Sequence, residues 1–136
     1  MTETTRQTIQ RFIDEVINQQ NLDAIDDLVH PAYELRSPDR QVRGRAALRE
    51  FLSAYHEAFP DLRITINDLV CAADRAVLIF TLTASQQGDF MGLAATGRKI
   101  SIDGMICSRV DNGRIIEEWE LLDQLTLFRQ LGLVAI

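Results

Sequence analysis

The stretch Arg109-Val110-Asp111-Asn112-Gly113-Arg114-Ile115-Ile116-Glu117-Glu118-Trp119 decides the fold. Asn-Gly between two β-rich runs is the strongest short-range hairpin signal, because both residues tolerate the positive φ that a tight primed turn requires. Before the turn, residues 99–110 alternate, with Ile100, Ile102 and Ile106 on one parity. After it, residues 115–122 form the last long strand. The turn leaves two registers open. A two-residue Asn112-Gly113 turn sets Ile106 opposite Trp119. A three-residue turn with Gly113 left-handed sets Met105 opposite Trp119 and puts Arg109 on the face of Glu117. A slip of one residue turns every side chain to the other face.

Upstream, the period changes once. Ile9, Phe12, Ile13, Val16 and Ile17 fall at helical spacing and predict an amphipathic helix over residues 5–20. Leu22, Ile25, Leu28 and Val29 continue the pattern until His30-Pro31, where the residue before proline avoids helical dihedrals. Residues 33–36 read as a short strand. Gly44 precedes a third helix bearing Leu48, Phe51, Leu52, Tyr55 and Phe59, and Pro60 stops it. Strands follow at residues 63–66, 69–71 and 77–85, with a turn at Asp74 and a glycine-bearing loop over residues 86–97. Residues 125–131 read as a short terminal helix closed by Gly132. Helices followed by antiparallel strands predict an α+β fold, with three N-terminal helices covering one face of a curved sheet.

Composition narrows the function classes. The chain has 136 residues, the size of a single domain spanning residues 1–136 with a real core. Its net charge of −6 sets it against phosphate backbones, so nucleic acid is not an expected partner. The N-terminal Met1-Thr2-Glu3-Thr4-Thr5 carries no basic start or apolar core of a secretory signal, and the longest apolar run, residues 76–80, is strand-sized. The expectation is a cytoplasmic protein away from the membrane. Cys71 and Cys107 are too few for a disulfide scaffold and read as buried small hydrophobes. With His30 and His56 set apart, no metal constellation is visible, and no cofactor is expected.

Four segments in order resemble the SnoaL-like polyketide cyclases of the nuclear transport factor 2-like superfamily. They are Ala58-Phe59-Pro60-Asp61-Leu62, the loop Gln87-Gly88-Asp89-Phe90-Met91-Gly92 with Thr96-Gly97-Arg98, the hairpin quoted above followed by Asp123, and the tail Gln130-Leu131-Gly132. The resemblance implies a cone-shaped curved antiparallel sheet (an α+β barrel) enclosing an apolar pocket with the three helices, and a homodimer formed through the sheet. It also implies a small apolar, carbonyl-bearing ligand and cofactor-free proton-transfer chemistry, such as aldol or ester cyclisation or isomerisation, run by a pocket carboxylate.

Asp123 matches the position of the family's acid/base carboxylate. It follows Trp119 and Leu121 on one strand parity, and burial there would raise its pKa. It also stands directly before the terminal helix, where Asp is a preferred cap with a lowered pKa. Gln86 stands where family members often carry His. An amide can bind a carbonyl but cannot transfer a proton. Trp119, Tyr55, Phe59, Phe90, Met91 and Met105 are the expected walls, with His56 at the edge of the buried stripe. Arg109 and Glu117 flank the hairpin, as a cross-strand bridge or as ligand contacts beside Asp123. The alternatives are a non-catalytic ligand-binding protein, a dimeric interaction module, and an epoxide-opening hydrolase with Asp103 as its second carboxylate.

Overall fold

The computed structural model describes residues 2–134; residues 1, 135 and 136 lie outside the described part. The first helix, α1 (Thr2–Arg11), continues directly into a π-helical segment, Phe12–Asn18. Phe12, Ile13, Val16 and Ile17 are all buried there, so the wider turn keeps the apolar stripe facing inward. A 3₁₀ turn at Leu22–Ala24 leads into α2 (Ile25–Leu28). That helix stops at Leu28, one residue sooner than the Pro31 rule predicts, and Val29 already belongs to β1 (Val29–Ser37). A short β2 (Arg40–Arg43), not foreseen from the sequence, turns back along β1 and feeds α3 (Gly44–Ala58).

The remaining strands are β3 (Arg63–Ala72), β4 (Arg75–Ser85), β5 (Lys99–Asp111) and β6 (Arg114–Leu122), followed by α4 (Gln124–Gln130). They form one six-stranded sheet in the order β2-β1-β6-β5-β4-β3. Every pairing is antiparallel except β1 with β6, which run parallel. The two predicted pieces at residues 63–66 and 69–71 are one strand interrupted by a bulge between Ile66 and Asp68. Bulges of this kind bend a strand and increase its twist, which curves the sheet around the helices.

The strands alternate as expected, and the inward residues form the core. Ala76, Leu78, Phe80, Leu82 and Ala84 of β4 and Ile100, Ile102, Ile106 and Val110 of β5 are buried, and the helical stripes close over them. Gly104 lies under the Phe80 ring, where a Cβ would come within 2.5 Å of that ring. Only glycine lets the ring lie flat against β5 there. Among the described residues no helix is long and apolar enough to cross a membrane.

The hairpin adopts neither of the two registers considered. Asn112 and Gly113 both take positive φ, 50° and 78°, so the turn is the two-residue primed type, with Asp111 facing Arg114 and Val110 facing Ile115. A bulge then intervenes, and Arg109 pairs with Glu117, Cys107 with Trp119 and Met105 with Leu121. One extra residue on β6, at Ile116, changes which side chains of that strand face the core.

Candidate functional site: a carboxylate pair in an apolar cavity

The bulge places Glu118 and Glu120 on the inner face of β6 and Trp119 and Leu121 on the outer face. A cavity of ≈ 80 Å³ lies between the inner face and the helices. Phe12, Ile13 and Ile17 of the π-helical segment and Leu48, Phe51, Leu52, Tyr55 and His56 of α3 wall it from above. The sheet side supplies Tyr33, Phe80, Leu82, Ile106, Leu122 and the two glutamates. The cavity is thus apolar except for two carboxyls, two phenols and one imidazole.

Glu118 is buried and satisfied. The Tyr33 hydroxyl donates to its Oε1 at 2.6 Å, and the Ser108 hydroxyl, from the residue directly across the β5–β6 ladder, donates to Oε2 at 2.8 Å. Burial raises the Glu118 carboxyl above its usual range, although both hydroxyls favour the ionised form. Burial, aided by Glu118, pushes the Tyr33 phenol well above its ordinary value, so it stays a neutral donor.

Glu120 differs. Its carboxyl makes no hydrogen bond or ion pair with a described residue, and burial together with the Glu118 charge pushes it up to about 7. Near neutral pH such a group exists both as an acid and as a base, the condition under which general acid–base catalysis is most effective. Asp39, in the β1–β2 turn, and Arg40, the first residue of β2, act on Glu120 in opposite directions. Arg40 pairs with Asp39 at 3.2 Å and lies over the Phe51 ring, 4.8 Å from its centroid.

His56 faces the cavity from α3 and is buried, with Nε2 3.0 Å from the Ile17 carbonyl. A carbonyl only accepts, so Nε2 carries the hydrogen and Nδ1 is the acceptor of the neutral ring. Ile17 sits in the last turn of its helix, where carbonyls lack partners within the helix. Burial lowers the His56 pKa, outweighing that hydrogen bond.

The structure separates most of the residues expected to form the site. Tyr55 and His56 line the cavity. Phe59 and Phe90 are instead buried behind Tyr55 in an aromatic cluster, with Phe90 5.4 Å from Tyr55 and 5.1 Å from Phe59 between ring centroids. Asp123 lies outside the cavity: it is exposed and caps α4, with Oδ1 accepting from the Thr126 amide at 3.1 Å and Oδ2 from the Thr126 hydroxyl at 2.6 Å. Those bonds lower its pKa, so the capping alternative describes its position and the pocket-facing one does not. Gln86 is fully buried but turned into its own loop. Its Nε2 donates to the carbonyls of Gly88, Leu93 and Ala94, and its Oε1 accepts from Thr96. This amide folds the 86–97 loop and does not line the cavity.

Trp119, Met105, Arg109 and Glu117 are on the outer sheet face. Trp119 is 54% exposed with Arg36 stacked 5.0 Å over it, and Arg109 is bridged to Glu117 across the hairpin. Met91 is an exposed loop residue. Asp103 sits on the outer parity of β5 and accepts from Thr81 at 2.8 Å. Cys71 and Cys107 are half-buried free thiols and not fully buried ones. The expectation failed on β6 because it took the apolar parity, Trp119 and Leu121, as the inward one. A signal lay in β5: the parity of Ile102 and Ile106 also carries Ser108, a polar residue that needs a buried partner opposite.

Fold and site together define a cone of the nuclear transport factor 2-like type. The chain belongs to the SnoaL-like polyketide cyclase family, whose model matches residues 7–131. Among solved structures it is similar to TsrD from Streptomyces laurentii (29% identity, 97% of each chain covered, TM-score 0.86). It is also similar to AclR from Streptomyces galilaeus (25% identity, 99% of this chain and 100% of that one, TM-score 0.88). A SnoaL-like polyketide cyclase from Agrobacterium tumefaciens shares the fold (23% identity, 94% of this chain and 98% of that one, TM-score 0.78). No curated protein matches the sequence.

Proposed function

We propose that this protein binds a small apolar, carbonyl-bearing ligand in the cavity beneath α3 and acts on it by cofactor-free proton transfer, with Glu120 as the acid/base. One observation carries this reading: a carboxyl with no hydrogen bond or ion pair among the described residues, facing an apolar cavity and poised at about 7. As a base, the ionised Glu120 takes the proton α to the ligand carbonyl. For a cyclisation, the enolate carbon then attacks a second carbonyl of the same ligand, forming the carbon–carbon bond, and the proton returns from Glu120 to the new alkoxide. For an isomerisation, it returns to another carbon. Glu118, fixed by Tyr33 and Ser108, is a positioning residue whose charge holds the Glu120 pKa up. Tyr55, near Glu120 on the helix side and neutral because burial raises its pKa, is the donor to the carbonyl oxygen.

The test is α-proton exchange of cyclopentanone in D₂O followed by NMR. Exchange is accelerated by the wild type, with a rate that rises as pH approaches 7. It is lost in Glu120→Gln and kept in Asp123→Asn. Exchange that survives Glu120→Gln unchanged overturns the role.

The outer sheet face supports a homodimer. Val70, Val77, Cys107 and Trp119 follow one another across the ladders, and Ile79, Met105 and Leu121 form the next row. Of these, Val70, Ile79, Met105, Trp119 and Leu121 are exposed. Such a contiguous apolar patch favours self-association.

A further inference from the structure

We propose that the cavity selects ligands carrying a basic nitrogen, whose ammonium sits between the Glu118–Glu120 pair and the aromatic rings of Tyr33, Phe51 and Tyr55. The inference rests on the reading of this cavity as the ligand site and deepens it by naming the ligand's charge. Two carboxylates face one small apolar space, and no lysine or arginine is among its lining residues. The partners of Glu118 are two neutral hydroxyls, and Glu120 has no hydrogen bond or ion pair among the described residues. The nearest guanidinium, Arg40, acts on Glu120 from outside the lining and is engaged by Asp39, by the Tyr55 hydroxyl and by the Phe51 ring. Buried carboxylates are ordinarily paired with cations, and here the protein supplies none inside the cavity. Tyr33, Phe51 and Tyr55 add aromatic rings to the lining, and a ring face attracts an ammonium most strongly where water is excluded.

The charge of the site fixes the pH dependence. With Glu120 at about 7, roughly a tenth of the protein carries that charge at pH 6 and nine-tenths at pH 8. A simple amine, with a pKa near that of lysine at about 10, is protonated at both. Amine affinity therefore rises about tenfold from pH 6 to pH 8, and binding at pH 6 releases a proton. The other groups facing Glu120 do not reproduce this. Tyr33 and Tyr55 are pushed upward and stay neutral, and Asp39, paired with the Arg40 guanidinium, is held down at about 2 and stays charged. His56 of α3 is lowered from 6.5, and its protonation at the acid end would add to the loss of amine binding without needing a proton from Glu120. Glu118, raised by its burial, shares the carboxylate charge and repels Glu120. A neutral carbonyl or alcohol behaves oppositely, since it is best held by the protonated Glu120 and binds no better at pH 8.

The experiment is calorimetric titration of cyclopentylamine and cyclopentanol into the intact protein at pH 6 and pH 8, each in two buffers of different ionisation enthalpy. The amine is expected to bind at least tenfold more tightly than the alcohol at pH 8 and to release a proton at pH 6. Glu120→Gln is expected to flatten the pH dependence of amine binding and to leave the alcohol bound alike at pH 6 and pH 8. Alcohol binding equal to or tighter than amine binding at pH 8 overturns the proposal and leaves the cavity as a ligand site. Binding of neither compound overturns both. Should the variant not fold, the wild type alone decides, because amine affinity that is flat from pH 6 to pH 8 without proton release also overturns it.

Discussion

The Tyr33 hydroxyl donates to Glu118 at 2.6 Å and so ties β1 to β6 across the one parallel pairing in the sheet. Ser108 occupies the other carboxylate oxygen from β5, so the side chain bridges three adjacent strands. This arrangement makes two chemically alike glutamates unlike. Glu118 is held by two donors, whereas Glu120, two residues on and facing the same cavity, makes no hydrogen bond or ion pair among the described residues. A pair of acids whose environments differ in this way separates a structural role from a proton-transferring one.

Glu120 should make the fold less stable as pH rises. Its folded pKa of about 7 lies above its ordinary 4.5, so the folded state binds more protons between those values. The stability linked to that proton is complete below pH 4.5 and is lost as pH rises through 7, up to about 3 kcal/mol. Glu120→Gln removes the ionisation. Urea unfolding is therefore expected to show the variant more stable than wild type by up to about 3 kcal/mol at pH 8.5 and close to it at pH 4.5. Parallel stability profiles for the two proteins would contradict this.

Tyr33→Phe removes one of the two donors to Glu118 while keeping the ring in the cavity wall. A buried carboxyl left short of a partner costs about 1–3 kcal/mol. The loss grows with pH, because the missing bond favours the ionised form and Glu118 is pushed further upward. A double-mutant cycle with Glu118→Gln, read from urea midpoints at pH 8, is expected to give a coupling of at least ~1 kcal/mol. Additive effects would mean that the hydroxyl contributes nothing through Glu118.

Asp123→Ala is expected to act on stability and to leave the chemistry in place. It removes both bonds to Thr126 at the start of α4, and loss of an N-cap costs about 0.5–2 kcal/mol. The thermal midpoint is expected to fall by several degrees while α-proton exchange of cyclopentanone keeps its wild-type rate per folded molecule. A loss of exchange with an unchanged midpoint would return Asp123 to the chemistry.

The order of the elements was legible because hydrophobic period and turn chemistry are local. The helical stripe from Ile9 to Ile17, the alternation through Ile100, Ile102 and Ile106, and the Asn112-Gly113 turn each announce their element within a few residues. The site was not legible, because it depends on one inserted residue. Ile116 has no turn signature, yet the bulge there turns Glu118 and Glu120 inward and Trp119 and Leu121 outward. Inward-facing glutamates beside an outward-facing tryptophan invert the usual guide of apolar in and polar out, which is how functional sites depart from the pattern of the fold around them. Gln86 was misplaced for a related reason: its partners are carbonyls of its own loop, and a sequence does not show which way an amide turns.

Trp119, the only tryptophan, should report on the outer sheet face and not on the cavity. It is half-exposed between Arg36, at 5.0 Å, and its neighbour across the ladder, Cys107. The cavity lies on the other side of β6. Saturating the protein with cyclopentylamine is therefore expected to leave the emission maximum in place. With the proposed dimer forming through this face, raising the protein concentration is expected to shift it to shorter wavelength as the indole leaves water. Leu121→Arg places a charge in the same apolar patch, 63% exposed at that position, and should abolish the concentration-dependent shift without altering amine affinity. Sedimentation measured alongside fluorescence separates the two faces. An emission maximum that follows ligand and ignores concentration would place the tryptophan in the binding site after all.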